Sequence, residues 1–337
     1  TAIIAGFEIG PRIGLALSGD EMIVKGWHSP AIFAPYAAAA AAGIVLGLDA
    51  DQHYHALGMS GTQAGGLMSA QFGSMIKRVQ CAKNGQSGLY ATLLAAKGFT
   101  GIDDSLEREY GGFCTTFSQT KDGFDLEQLS AGLGTRWETM NIDLKRFAAL
   151  GTNFTAMDAA QDLMQEEGLQ AADVDEVVVY VTQATVSHGG WAYEPKGLTA
   201  AQMNLGFCVA TMLIEGDVFV DQMVAANVAR PDLVALAQRV KAVRDPAREK
   251  MGKDHARGCR MEVRLKNGRT LARTVDFFRG SHHRPLTEAQ IVEKFRKLAA
   301  KTLPAASVAK IEELTLGLDR LGSVAPLCTL MRGEQRG

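Results

Sequence analysis

The sequence predicts a mainly α-helical protein with a smaller α+β part set into it. Three observations carry this prediction. Up to about Thr135 the chain shows helical patterns and loops only. Strand signals then appear: residues 174–186 (VDEVVVYVTQATV) are β-branched, and residues 259–265 alternate. Beyond Pro285 helical periodicity returns alone. The expected layout is an all-α domain from residues 1–136 and 287–337, with an α+β domain from 137–286 inserted between them.

The elements follow in order. Residues 1–17 look like mid-domain helix, with no methionine and no polar lead-in, so an upstream part of the same domain is expected outside this chain. Residues 31–46 are alanine-rich helix. Asp49 or Asp51 can cap a further helix over 53–59. Residues 61–82 read as a glycine-rich loop, and 87–97 as a helix closed by Gly98. Gly111-Gly112 and Asp122-Gly123 mark loops beyond it. Helical patterns cover 199–215, 218–228 and 231–243. In residues 259–265, Cys259, Met261, Val263 and Leu265 share one face, and Arg260, Glu262 and Arg264 the other. Asn267-Gly268 is a hairpin turn leading into a return strand over 269–277. Thr287 should cap a helix over 291–301, and Ser307 another over 308–321.

Composition narrows the function classes. The 337 residues carry a net charge of −2, so no global field draws the protein to nucleic acid or an anionic membrane. The five cysteines are scattered without C-x-x-C spacing, the pattern of reduced thiols in a cytoplasmic protein. Residues 31–48 form an uncharged, mostly apolar run of transmembrane length. Alanine dominates it, and Pro35 and Gly43 interrupt it, so it reads as a helix buried in an α-helical core.

Common signatures fail. Gly132-Leu133-Gly134 lacks a third glycine and a preceding strand, and no P-loop or G-x-S-x-G nucleophile elbow occurs. His53 and His55 fall on different helix faces, and His282-His283 reads as a solvated loop pair, so neither suggests a metal site. What survives is dispersed basic chemistry. His28 stands between Trp27 and Pro30, Lys77 and Arg78 follow a Gly/Ser/Gln/Met stretch, and Lys145 and Arg146 sit at the domain junction. Cations on glycine-rich backbone beside apolar walls suit a small anionic ligand.

These segments together resemble the MmgE/PrpD family, which includes 2-methylcitrate dehydratase, cis-aconitate decarboxylase and iminodisuccinate epimerase. The matching stretches are GWHSPAIF (26–33), LGLDADQ (46–52), HALGMSGTQAGGLM (55–68), FGSMIKR (72–78), NGQSG (84–88), KGFTG (97–101), FVDQM (219–223) and PLTEAQIVEKFRKLA (285–299). The resemblance implies the two-domain fold above, a pocket between the domains, a homodimer, and no metal or cofactor. It implies that His28 and Lys77 are the pocket's catalytic histidine and lysine. Met68, Arg78, Lys145 and Arg146 would help bind a small di- or tricarboxylate. The most direct activity it implies is a 2-methylcitrate-dehydratase-like elimination, with decarboxylation, epimerisation or carboxylate binding without turnover as alternatives. The chain departs from the family in two places. Ala148 stands at the usual proline and residues 145–160 hold no histidine, and the family's pocket tyrosine near Val186 has no obvious equivalent, His188 and Tyr193 being the candidates.

Overall fold

In the computed structural model, which describes residues 1–332, the N-terminal part is a stack of helices. Helices α1 (Ala2–Ala16), α2 (Gly19–Val24), α3 (Ser29–Leu46), α4 (Ala50–Ser60) and α5 (Ile76–Ala95) come first, followed by the short α6 (Phe113–Ser118) and α7 (Glu127–Ser130). The alanine-rich α3 is long and apolar enough to cross a membrane by length and composition, yet it packs between α1 and α5. Its small side chains permit close crossings: a Cβ on Gly88 of α5 would meet the Pro35 carbonyl oxygen at 2.1 Å. Asp49 caps α4 in a capping box with Gln52. Charged groups anchor α1. Glu8 accepts from the Glu138 and Thr139 backbone amides, and the fully buried Arg12 donates to the carbonyls of Ala131 and Arg136.

The second part contains α8 (Phe154–Glu166), β1 (Val174–Val181), α9 (Gln183–Gly189), α10 (Leu198–Met203), α11 (Leu205–Glu215), α12 (Ala225–Val228), α13 (Pro231–Ala237), β2 (Val240–Arg244), α14 (Pro246–Glu249), β3 (Cys259–Leu265) and β4 (Thr270–Val275). The sheet order is β2-β1-β3-β4, with β2 parallel to β1 and the other pairs antiparallel. Helices α8 and α11 lie against the sheet. Val177, Val179, Met261, Val263 and Leu271 are buried in the shared core with Phe154, Leu205 and Met212. Tyr180, Glu262, Arg260 and Arg264 are less buried, as a sheet with one wet face requires. Helices α15 (Glu288–Ala299), α16 (Ala305–Leu316) and α17 (Ala325–Met331) close the chain. Lys297 and Lys301 of the α15 region pair with Asp217 and Asp221.

Several sequence expectations change here. Residues 76–82 are helix rather than loop, so Lys77 and Arg78 stand on the first turn of α5, and NGQSG lies inside it. Of its two glycines, Gly88 serves the crossing with α3, while Gly85 faces open space. The strand-like run ends at Val181, and residues 183–189 turn into α9. The helical pattern 231–243 splits, because residues 240–244 pair with the edge of β1 and become β2. Within 218–228 only Ala225–Val228 is helical. The pattern 199–215 breaks at Asn204, whose side chain caps α11. Thr287 caps α15 as expected, but α16 begins at Ala305, ahead of Ser307, with Pro304 at its N-cap.

Candidate active site

The site is assembled from both parts. Gly26 to His28 run antiparallel to Gly66 to Met68: the His28 amide donates to the Gly66 carbonyl (3.0 Å) and the Met68 amide to the Gly26 carbonyl (2.9 Å). This bridge sets the buried His28 at the start of α3 against the loop carrying Met68. The close approach uses Gly66, where a Cβ would stand 3.2 Å from His28 Cβ. On the first turn of α5, Lys77 brings its ammonium to 3.9 Å from the Met68 sulfur.

The second part contributes through the seam it forms with the first. Gln71 donates to the Ser187 carbonyl (3.4 Å), Phe72 meets Trp191 edge to face at 4.8 Å, and Arg78 hydrogen-bonds Gln202. These contacts fix α9, and so His188, next to the His28 and Lys77 elements. His188 is only 8% exposed.

The electrostatics are those of cationic and titratable groups crowded together. Burial, then the Lys77 charge, lowers the His28 pKa to about 4, with Gln80 partly opposing and Lys145 adding to the shift. Burial lowers His188 further, to about 3, and Lys77, His28, Arg257 and Lys145 reinforce it. Burial also lowers Lys77, to about 8, with Lys145 and Arg78 contributing. The Lys145 pKa falls for the same reasons, burial first and then Arg257, Arg78 and Lys294. Its Nζ donates to the Ala149 carbonyl (3.2 Å), although the side chain as a whole is exposed. The unpaired polar atoms gather here too. While His28 pairs with the Gln80 side chain, both ring nitrogens of His188 and the carboxamide oxygen of Gln71 are buried with no hydrogen-bond partner among the described residues. Buried polar atoms are rarely left so, and a cluster of them among cations makes this the candidate site.

Of the residues read from the sequence, His28, Lys77, Met68 and Lys145 are brought together, and Arg78 stands at the rim as a bridge to Gln202. Arg146 is turned away. Its guanidinium donates to the fully buried Asp158 (3.1 Å) beside Arg279 and lies over the Phe147 ring, which makes it part of the scaffold. Tyr193 is also scaffold, since its hydroxyl donates to the Val228 carbonyl (2.7 Å). Gln71 and Gln80 were not singled out by sequence patterns, and His188 only as a candidate for the pocket tyrosine that the resemblance implies. No spacing links His188 to His28, and only the seam brings them together. Among the described residues no group of three or more His, Cys, Asp or Glu side chains could hold a metal ion.

Comparison with known proteins agrees in both parts. Residues 1–125 match the family model described as MmgE/PrpD N-terminal domain, and residues 147–320 the model described as MmgE/PrpD C-terminal domain. The cis-aconitate decarboxylase-like protein oryM of Aspergillus oryzae is 34% identical over 343 residues, covering 99% of this chain and 70% of the relative. Cis-aconitate decarboxylase of Aspergillus terreus is 34% identical over 342 residues, 98% of this chain and 69% of the relative. The human enzyme of the same name is 25% identical over 342 residues, 98% and 68% respectively.

Proposed function

Because this chain belongs to the MmgE/PrpD family, we propose that it is a lyase acting on a small tricarboxylate, and that its reaction is decarboxylation of a cis-aconitate-like substrate. The observation that supports the proposal is the buried imidazole of His188, its ring nitrogens unpartnered, gathered with His28 around Lys77. An uncompensated cluster of this kind is stabilised by an incoming polyanion. The relatives' names supply the reaction.

The chemistry fits these groups. In an unsaturated tricarboxylate, the carboxylate on the saturated carbon leaves as CO2 and its bonding pair forms a new double bond. The displaced π pair moves onto the carbon next to another carboxylate, whose oxygens share the charge. A proton delivered to that carbon completes the step. Lys77 faces the developing charge, a role in which one preorganised donor is worth about 3–4 kcal/mol. Lys145 and Arg78 hold the remaining carboxylates, and His28 delivers the proton.

Dehydration of a 2-methylcitrate-like substrate is the second reading. The lowered pKa of His28 favours it, because an imidazole neutral at rest is a base rather than an acid. We also propose that two copies pair through the apolar groove of about 360 Å³ lined by Ile3, Ala38, Val45 and Leu89. Sedimentation that finds only monomer at micromolar concentration removes that part.

The deciding experiment incubates the protein with cis-aconitate, 2-methylcitrate, citrate and iminodisuccinate and follows each by NMR. Release of CO2 with new methylene resonances from cis-aconitate is expected. Alkene formation from 2-methylcitrate without CO2 would establish dehydration instead, and no consumption of any of the four would sink the lyase proposal.

A further inference from the structure

We propose that His188 is a further catalytic residue of this site: a ring nitrogen without a protein partner contacts the bound tricarboxylate, and the anion enters together with the proton that its decarboxylation consumes. This rests on the tricarboxylate reading above and adds a residue and a proton balance to it.

The geometry comes first. His188 is more than nine-tenths buried, and neither ring nitrogen has a hydrogen-bond partner among the described residues. A purely structural imidazole at this depth would donate to a carbonyl or accept from an amide. Gln71, pinned to the Ser187 carbonyl next door, also has an unpaired oxygen, so the polar atoms around His188 form a cluster rather than a single defect.

The groups acting on His188 are Lys77 of α5, His28 at the head of α3, Arg257 and Lys145, and each lowers its proton affinity. Other described charged side chains on the elements packed against α9 are turned elsewhere. Glu21 of α2 is exposed, and Lys241 and Arg244 of β2 are engaged by Glu176 and Glu249. With pKa values of about 3 and about 4, the imidazoles of His188 and His28 are neutral in the free protein at pH 7. Yet replacing a carboxylate by hydrogen and releasing CO2 requires one proton, which must come from an acid in the site. Tricarboxylate oxygens placed against these rings reverse the local field and favour imidazolium. Binding then draws in a proton that the two rings share, and His28 delivers it to carbon while His188 holds the anion. Lys77, with its pKa near 8, is already mostly charged at pH 7 and takes up only a fraction.

The test is calorimetric titration of the protein at pH 7.0 with propane-1,2,3-tricarboxylate, which lacks the double bond the reaction needs. It is run in two buffers of different ionisation enthalpy. We expect uptake of about one proton per site, and binding that tightens about tenfold per unit fall in pH for each proton linked. His188→Gln should roughly halve the uptake and weaken binding about tenfold, while His188→Ala with added imidazole should recover part of both. Binding of the wild type with no proton uptake would overturn this inference and leave the tricarboxylate reading standing. Uptake and affinity unchanged in a folded His188→Gln protein would remove His188 from the site. Failure of the wild type to bind would bring down both.

Discussion

The ammonium of Lys77 lies 3.9 Å from the sulfur of Met68, a contact at the outer limit for a hydrogen bond to a thioether. A thioether is a weak acceptor and carries no charge, so it can seat a lysine without neutralising it. Lys77 is thereby held in place, half-buried, with its charge free for a substrate carboxylate. Lys77→Met should abolish that stabilisation and lower kcat/KM about 10²–10³-fold with the fold intact. Met68→Leu should cost far less, and steady-state kinetics on the two variants would separate positioning from charge.

The same lysine sets an alkaline limit. Its pKa, lowered from 10.5 to about 8, means that the cation is lost as pH rises through about 8. We expect kcat/KM to fall above that point, since this parameter reports the free enzyme. Lys77→Arg should remove the limb even where it lowers the maximum. A profile flat to pH 10 in the wild type would contradict the assignment.

Stability should respond at the acid end. His28 and His188 are depressed in the folded state from 6.5 to about 4 and about 3, so the unfolded chain binds more protons in that interval. The stability tied to the neutral imidazoles is complete above pH 6.5 and is lost as pH falls towards 4 and below. Thermal melts between these limits should show Tm dropping more steeply for the wild type than for a His28→Gln/His188→Gln double variant. Parallel curves would mean that the rings are not held neutral.

Neighbours in sequence should separate by phenotype. Arg146→Met leaves the buried Asp158 with one guanidinium partner fewer and should cost about 2 kcal/mol in denaturant unfolding, with turnover of the folded protein largely kept. Lys145→Met should do the reverse: near-normal stability and a raised KM, because its ammonium is among the cations acting on His28 and His188.

Gly88→Ala tests the helical scaffold. The added Cβ would come 2.1 Å from the Pro35 carbonyl oxygen and 2.8 Å from the Ala38 Cβ, so α3 and α5 must move apart. A loss of about 3 kcal/mol or more is expected. Unfolding midpoints close to wild type would show that α3 and α5 can separate at this crossing without loss.

The sequence by itself determined the alternation of β3 and its Asn267-Gly268 turn, the Thr287 cap, the helical character of the N-terminal part, and the candidacy of His28, Lys77 and Lys145. These are local: period, cap and turn are written within a few neighbouring residues, and family likeness marks single positions. Tertiary structure alone decided the rest. It made residues 240–244 a strand, because an edge of β1 was there to pair with. It set Gly88 of the helical run 84–88 against α3, where a side chain has no room. It turned Arg146 to Asp158 and brought His188, 160 positions from His28, into the same charged seam. Burial and long-range electrostatics choose those roles, and neither is encoded in sequence spacing.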